Sequence, residues 1–383
     1  LLCKMKAVTD AMVIERRGSI ASVVLARPKA LNSLNLPMVR TLWDAFTQSA
    51  ADAQVSAIVV TGAGGKAFCA GGDVRLVMEA AQRRGETLAA GEEELSDAFF
   101  REEYALNAAI AGSPKPQVSV WDGIVMGGGA GVSVHGAFRV TTERTMFAMP
   151  ETNIGLLPDI GATHFLSRLP GEIGTYLGLT GARLGATDLL STGLATHYVP
   201  SARLEGLEEA LQGCAMAADV DAALTRLGAG ATPNDAEQKI APFLARDRAA
   251  IDACFAADSI EEIEARLQRD GGEWGGATLA TLGKMSPTSL KVTLRLLREA
   301  RGASLHDCLQ AEFRACQQFM QPGSDFFEGI RAALVDKDRN PKWSPATTAD
   351  VSAERVQSYF APLGARELSL PTPAGFVSVQ SNL

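Results

Sequence analysis

The sequence has few of the features that mark disulfide-rich, membrane-spanning or nucleic-acid-binding proteins. Its 383 residues include only six cysteines, and no two of them have CxxC spacing, so a disulfide framework is excluded and a reducing compartment is favoured. Apolar runs are too short for the roughly 18 residues of a transmembrane helix, which predicts no membrane partner. No Lys/Arg run is present, and the 44 acidic residues outnumber the 36 basic ones. The charge therefore disfavours a nucleic-acid partner.

Targeting signals are also missing from the first residues. The opening LLCKMKAVTD is too short and too polar for the apolar region of a signal peptide, and its first residue is not Met, so the natural start is undefined. No Arg/Ser-rich transit segment is visible. We therefore expect a cytoplasmic protein, or one of the mitochondrial matrix if the source is eukaryotic.

Several common site motifs fail at specific residues. Two glycine pairs begin a dinucleotide fingerprint, but Ala67 and Val132 stand where the third glycine is required. A phosphate-binding P-loop fails because Lys66 is followed by alanine rather than Ser or Thr. There is no GxSxG elbow, and Ser133 and His135 are too close in sequence to suggest a nucleophile and its base. No His/Cys/Glu cluster has zinc spacing, so no metal site is predicted.

The composition itself is that of a folded protein, with 46% apolar and 21% charged residues, which excludes disorder. At about 150 residues per domain, the length suggests two or three domains. Up to residue 200, strands, glycine loops and helices alternate, which predicts an α/β architecture with βαβ-like units. Beyond residue 200, Ala, Leu, Glu and Arg dominate and helices are predicted. The predicted early elements are strands within 12–27, a helix from Pro37, strands at 55–62, 116–123 and 138–151, and helices from Val74 and over 94–111.

Two glycine-rich loops, 62–73 and 124–136, each follow a predicted strand and precede a predicted helix. Backbone N–H groups at such a junction carry partial positive charge and suit an anion or oxyanion. One loop by itself is better explained by tight turns and close packing. Two loops with the same placement favour a pair of N–H donors that converge on one oxygen.

The motifs AFCAGGD (67–73), GIVMGGGAG (123–131) and MPETNIGLLPDIGAT (149–163) resemble the enoyl-CoA hydratase/isomerase (crotonase) superfamily. Further segments are similar to its 3-hydroxyisobutyryl-CoA hydrolase branch, namely FFREEY (99–104), SPTSLKVTLR (286–295) and DFFEGIRAALVDKDRNPKW (325–343). The similarity runs from about residue 12 to about residue 365. It implies a ClpP-like core of stacked ββα units over 12–203 and a mostly helical region over 204–365. The end of the chain lacks helical periodicity, which predicts a loosely ordered tail over 366–383.

The resemblance also implies an acyl-CoA ligand and specific residues for it. The two N–H donors of the family map onto Gly72 and Gly128, which agrees with the interpretation of the glycine loops. Lys29, Ala67, Ala70 and Asp73 correspond to positions that hold the CoA adenine and phosphates. Lys29 and Lys66 are candidate phosphate partners, although loop lysines commonly just face solvent.

The same resemblance distinguishes between reactions. Hydratases of this superfamily use two glutamates, and the first of these positions is Gly131 here, which has no side chain to move a proton. Glu151 matches the second position and is the expected central catalyst, as nucleophile on the thioester or as general base on water. Asp159 is expected to hold the substrate 3-hydroxyl or water. Glu103 is expected to bind nearby, but its neighbour Glu102 would satisfy the sequence equally well.

The resemblance therefore implies hydrolysis of (S)-3-hydroxyisobutyryl-CoA to the free acid and CoA, a step of valine degradation. Two alternatives stay open: a hydratase or isomerase for another acyl-CoA, and an inert acyl-CoA-binding protein. No metal or redox cofactor is implied, because water and a carboxylate suffice. Crotonase relatives often form trimers or hexamers through their C-terminal helices, but the longer helical region here can pack on its own core instead. The oligomeric state, with a homo-oligomer as one candidate, therefore stays open.

Overall fold

The structure, a computed structural model, describes residues 6–83, 94–234 and 236–370. Its ten strands and the helices among them confirm the predicted α/β class. The strands are β1 Lys6–Val8, β2 Met12–Arg17, β3 Ile20–Leu25, β4 Ala57–Gly62, β5 Ala67–Cys69, β6 Gln117–Trp121, β7 Ile124–Met126, β8 Phe138–Thr141, β9 Met146–Ala148 and β10 His197–Tyr198. The predicted tail lies outside the described residues from 371 onward.

The described helices become denser towards the C-terminus, and residues 201–234 and 236–370 contain no strand. The α-helices are α1 Leu36–Ala51, α2 Val74–Gln82, α3 Leu95–Ala111, α4 Gly128–Val134, α5 Ala162–Leu166, α6 Ile173–Thr180, α7 Ala186–Ser191, α8 Leu207–Ala210, α9 Ala217–Leu227, α10 Leu244–Phe255, α11 Ile260–Asp270, α12 Gly272–Leu282, α13 Pro287–Glu299, α14 Leu305–Phe319, α15 Asp325–Ile330 and α16 Ala353–Ser358. Pro37 occupies the second position of α1 rather than the first, because Asn35 caps the helix by accepting from Met38 N. No described helix is long and apolar enough to cross a membrane.

The strands form two sheets, and the chain passes repeatedly from one sheet to the other. A seven-stranded sheet has the order β1-β2-β3-β4-β6-β8-β10, and β5, β7 and β9 form a small parallel sheet. Each of β4, β6 and β8 is followed directly by the matching short strand of the small sheet. This repeated pair of strands, followed by a helix, is the predicted ββα unit. Sequence analysis missed β5 and β7, because three-residue strands are too short to show a pattern and depend on parallel pairing with their neighbours.

Strand β4 shows why the parallel strands are apolar on both faces. Ile58 and Val60 join one hydrophobic core, between the sheets and the helices. Ala57 and Val59 join a second core on the opposite face of the large sheet, against α8 and α9. A strand buried on both faces needs apolar side chains at every position. The first core continues without a break into the helical region, where Ile251, Phe313 and Leu368 belong to it.

Candidate active site

A cavity of about 100 Å³ lies where the three strands of the small sheet end. Because the strands are parallel, their carboxyl ends meet at one edge, and the segments that follow them all reach the cavity. Its walls are Ala70, Gly71, Gly72, Val74, Phe99, Phe100, Glu103, Met126, Gly127, Gly128, Pro150, Glu151, Ile154, Leu156 and Asp159. This space admits several water molecules or a short acyl group. It brings together the predicted catalytic residues from four separate segments of the chain.

The two predicted N–H donors face the same space. Leu34 N donates to Gly71 O (2.8 Å) and Asp73 N donates to Leu34 O (2.7 Å), so Leu34 holds the segment on either side of Gly72. Gly128 is the first residue of α4, where a backbone N–H has no partner inside the helix. A Cβ on Gly128 would lie 3.3 Å from Gly72 N. The two N–H groups are therefore close enough to share one oxygen atom.

The backbone before these donors requires glycine. Gly71 has a φ of 111° and Gly127 a φ of 46°, both in a region that other residues rarely adopt. These two residues turn the chain sharply after β5 and after β7. The tight turns expected of the glycine loops are therefore present, and they bring Gly72 and Gly128 to the cavity wall. That their N–H groups act as a pair of donors stays a prediction.

Three carboxyl groups share the cavity wall with the N–H donors. Glu103 is 2% exposed, and Glu151 and Asp159 are each 5% exposed. Neither Glu103 Oε1 nor Glu151 Oε2 has a hydrogen-bond partner in the described protein, although both atoms are buried. Buried oxygens without partners are costly in a folded protein. These two atoms are therefore the natural contacts for a bound water or a polar substrate group.

The choice between the two adjacent glutamates of α3 is resolved by the helix. Glu103 points inward and lines the cavity. Glu102 accepts a two-point ion pair from Arg40 on the outer side, at 2.6 and 2.8 Å. Consecutive helical side chains point about 100° apart, so the two glutamates face different surroundings, and only Glu103 lines the cavity.

Burial makes all three cavity carboxyls harder to ionise than usual. It raises the pKa of Glu103 and of Glu151 well above the ordinary glutamate value, and the Asp159 charge raises both further. Burial raises the pKa of Asp159 to about 6, against a hydrogen bond from Tyr104 that lowers it. The Asp159 carboxylate is thus the easiest of the three to ionise, and its charge acts on the other two.

The sequence analysis missed the residues that hold Asp159. The hydroxyl of Tyr104, on α3, donates to Asp159 Oδ2 at 2.7 Å, and Cys316 Sγ of α14 lies 3.0 Å from the same hydroxyl. A third buried side chain, Glu312, lies one turn before Cys316 and accepts from Gly161 N and Thr163 N, just after Asp159. Tyr104 follows the recognised acidic pair directly and could have been suspected. Nothing in the helical sequence of α14 marks Glu312 or Cys316.

Position 131 has no room for the glutamate that hydratases carry there. A Cβ on Gly131 would lie 2.8 Å from Ile160 Cβ and 3.0 Å from Asn107 Nδ2. Real Cβ atoms almost never approach other heavy atoms below 3.0 Å. The space beside Glu151 is therefore filled by neighbouring side chains instead of a second glutamate.

The predicted CoA-binding residues divide into two groups. Ala70 lines the cavity, and Asp73 lies near its rim, where it accepts an ion pair from Arg27 at 3.1 Å. Lys29 is exposed, and Ala67 is buried in β5, so neither lines the cavity. The lysine-bearing loops nonetheless pack together, since a Cβ on Gly64 would lie 2.5 Å from Pro28 Cβ.

Other nucleophiles and metal ligands do not compete for the site. Burial raises the pKa of Cys69 to about 12, which leaves it a neutral thiol. Burial lowers the pKa of His135 to about 4, which leaves it a neutral imidazole. Within the described ranges no three His, Cys, Asp or Glu side chains are arranged to hold a metal ion.

The chain has close relatives among characterised proteins. A family model described as enoyl-CoA hydratase/isomerase matches residues 20–360. The chain is 45% identical to the mitochondrial 3-hydroxyisobutyryl-CoA hydrolase of Rattus norvegicus, over 94% of this chain and 91% of that protein. It is 42% identical to the mitochondrial 3-hydroxyisobutyryl-CoA hydrolase of Homo sapiens, over 95% of this chain and 93% of that protein.

Solved structures agree on the fold. A protein described as a carnitinyl-CoA dehydratase, from Mycobacterium thermoresistibile, superposes with a TM-score of 0.84 at 38% identity, over 94% of this chain and 99% of that one. One described as an enoyl-CoA hydratase, from Rhodobacter sphaeroides 2.4.1, superposes with a TM-score of 0.81 at 36% identity, over 94% of this chain and 100% of that one. Both superpositions include the helical region.

Proposed function

The chain belongs to the enoyl-CoA hydratase/isomerase family, and from that membership we propose that it hydrolyses the thioester of (S)-3-hydroxyisobutyryl-CoA, or of a close 3-hydroxyacyl-CoA, to the free acid and CoA. The observation that carries the proposal is the cavity in which Glu151 and Asp159 face a pair of backbone N–H groups while position 131 is a packed glycine. The identity of the acyl group is inferred from the relatives, which are named 3-hydroxyisobutyryl-CoA hydrolase.

The chemistry begins at the thioester carbonyl. When an oxygen nucleophile attacks the carbonyl carbon, negative charge develops on the carbonyl oxygen, and the N–H groups of Gly72 and Gly128 stabilise it. The carbon–sulfur bond then breaks, and the CoA sulfur leaves and takes up a proton. Each N–H donor of this kind typically contributes about 3 kcal/mol to lowering the barrier.

Two routes use the same glutamate. In the first, a Glu151 carboxylate oxygen attacks the carbonyl carbon and forms a mixed anhydride, which water then cleaves to the free acid and the original carboxylate. In the second, Glu151 takes a proton from a water molecule that attacks directly. A single turnover in H₂¹⁸O separates them, because only the anhydride route can leave ¹⁸O in the Glu151 side chain.

The substrate 3-hydroxyl is matched by the remaining carboxyl groups. Asp159 is oriented by Tyr104 and can accept a hydrogen bond from the hydroxyl. Glu103 offers an unpaired buried oxygen on the neighbouring wall. A buried polar group that is satisfied only by the substrate hydroxyl discriminates strongly against analogues without it. The cavity is thus suited to a 3-hydroxyacyl group over a plain acyl group.

Hydration of an enoyl-CoA is the second candidate, because the similar solved structures are described as a hydratase and a dehydratase. Hydratases of this superfamily share the work between two glutamates. Here the space for the first is taken by Ile160 and Asn107 beside Gly131. The packing around Gly131 therefore favours hydrolysis.

The test is thiol release from (S)-3-hydroxyisobutyryl-CoA by the purified protein, with crotonyl-CoA hydration measured in parallel. We expect release of free thiol that falls by about 10²- to 10⁴-fold in Glu151→Gln, the range lost with a general base. Glu102→Gln is the matched control, since Glu102 pairs with Arg40 outside the cavity, and it should retain wild-type rates. Fast crotonyl-CoA hydration without thiol release would establish the hydratase instead.

The remaining features of the proposal concern cofactor, compartment and assembly. We propose that the reaction uses no metal or redox cofactor, and that addition of a chelator leaves thiol release unchanged. The described cysteines Cys69, Cys214, Cys308 and Cys316 are free thiols, which fits a reducing compartment such as the cytoplasm, or the mitochondrial matrix in a eukaryote. A homo-oligomer remains a proposal that sedimentation analysis would test.

A further inference from the structure

The short segment after Asp159 has an unusual backbone. Ile160 has a φ of 61° and Gly161 a φ of 77°. Left-handed backbone is common for glycine but rare for a β-branched residue such as isoleucine, and it persists only where the surroundings hold it in place. Ile160 is fully buried, and its Cβ packs against Gly131. The backbone conformation of the turn that carries Asp159 is therefore imposed by the surrounding packing and is not the intrinsic preference of Ile160.

The peptide group between Ile160 and Gly161 is held from both sides. Its carbonyl oxygen lies 2.7 Å from His135 Nε2, and its N–H donates to Glu312 Oε2 at 2.6 Å. A carbonyl oxygen can only accept, so His135 Nε2 carries the proton and is the donor. His135 ends α4, the helix that begins with Gly128, and Glu312 lies in the middle of α14. Two helices from different regions of the chain thus fix one peptide plane.

Both carboxyl oxygens of Glu312 are engaged by the turn after Asp159. Its Oε1 accepts from Thr163 N (2.8 Å) and from Thr163 Oγ1 (2.6 Å), and it is completely buried. It does not line the cavity, and neither does His135. A buried carboxyl group is costly without partners, and these three donors all come from the 161–163 turn, so the geometry of the turn depends on Glu312.

We propose that Glu312 and His135 are positioning residues for Asp159, and that by fixing the Ile160–Gly161 peptide they set the enzyme's selectivity for the 3-hydroxyl group. This inference rests on the proposed hydrolase function, in which Asp159 receives that hydroxyl. Asp159 is attached directly to the clamped segment, and its own carbonyl accepts from Ala162 N at 2.9 Å. Loss of either clamp residue frees the peptide to rotate towards ordinary backbone angles and moves the Asp159 carboxylate away from the hydroxyl.

The experiment compares kcat/KM for (S)-3-hydroxyisobutyryl-CoA with kcat/KM for isobutyryl-CoA, which lacks the hydroxyl. We expect Glu312→Gln and His135→Phe each to lower the ratio of the two values by about 10-fold or more, mainly by slowing the hydroxylated substrate. Gln keeps the size of Glu, and Phe keeps a planar ring that lacks the N–H donor. His135→Phe gives a second, independent arm if Glu312→Gln does not fold.

Asp188→Asn is the matched control. Asp188 of α7 is another buried carboxylate that accepts backbone N–H groups, from Phe243 (3.0 Å) and Leu244 (3.3 Å), but it does not line the cavity. Its loss should lower the melting temperature and leave the selectivity ratio unchanged. A wild-type ratio in folded Glu312→Gln and His135→Phe would overturn the clamp proposal. Failure of the wild-type protein to release thiol would overturn the proposed function instead.

Discussion

The three carboxyl groups of the cavity affect one another's ionisation. The charge on Asp159 raises the pKa of both Glu103 and Glu151. Glu151 must be ionised to act as a nucleophile or as a base, and burial together with the charge on Asp159 raises its pKa. The kcat/KM for thiol release should therefore rise with pH through a midpoint well above the ordinary glutamate value. The measured midpoint belongs to the coupled carboxyls and not to Glu151 by itself.

Asp159→Asn tests this coupling. The change removes the negative charge that opposes ionisation of Glu151, so the pH midpoint of the residual activity should move to lower pH. Rates of thiol release from pH 5 to 9 provide the measurement. Glu102→Gln removes one negative charge from α3 outside the cavity, where Glu102 pairs with Arg40 of α1, and should leave the midpoint in place. An unshifted midpoint in Asp159→Asn would show that Asp159 does not act electrostatically on Glu151.

At the scale of elements, strand ends and helix starts do the positioning. The parallel strands β5, β7 and β9 end at one edge, and α4 begins there with Gly128 as its first residue. A side chain on Gly128 would collide with Glu103 Oε1 and approach Gly72 N. Because Gly128 has no Cβ, the first residue of α4 can lie close to both the Glu103 carboxyl group and the Gly72 N–H.

Alanine keeps the backbone N–H, but its Cβ would collide with Glu103 Oε1 and push the N–H out of line. Gly128→Ala should therefore lower kcat by up to about 10²- to 10³-fold, the effect of losing one donor to a developing oxyanion. The control is Gly276→Ala in α12, where a Cβ meets nothing within 4 Å. Alanine is preferred over glycine inside a helix, so this control should keep full activity and equal or higher stability. Thiol-release kinetics and thermal unfolding measure the two effects. Full activity in Gly128→Ala would show that Glu103 moves aside for the methyl group and that the N–H keeps its place.

At the scale of the whole molecule, the buried carboxyl groups link stability to pH. Burial raises the pKa of Glu312 to about 8, from an ordinary value of 4.5 in the unfolded chain. The folded state then holds its proton more tightly, so this group's contribution to stability is complete below pH 4.5 and is lost as pH rises towards 8. His135 acts oppositely, because its lowered pKa of about 4 removes stability as pH falls from 6.5 towards 4.

The melting temperature of the wild type minus that of Glu312→Gln should consequently decrease as pH rises from about 5 to about 8, and should level off above that range. Each unit of pKa difference corresponds to about 1.4 kcal/mol of unfolding free energy. Differences between the two proteins isolate Glu312 from the other titrating groups. A difference that stays constant or grows with pH would contradict the raised pKa.

The sequence alone determined the parts of this protein that depend on local chemistry. The alternation of strands, glycine loops and helices predicted the α/β class. Gly72, Gly128, Glu151 and Asp159 lie within short motifs that can be recognised in a single sequence. These residues converge because parallel strands end at one edge of a sheet, a consequence of topology that sequence order already implies.

Only the tertiary structure decided which side chains support that site. Glu102 and Glu103 are equivalent in sequence, and the packing of α3 turned one outward to Arg40 and the other inward. Glu312 lies 151 residues from Gly161 and reaches it only because α14 packs beside the Asp159 turn. Such contacts depend on how whole helices pack against one another, and no local pattern in the sequence records that packing.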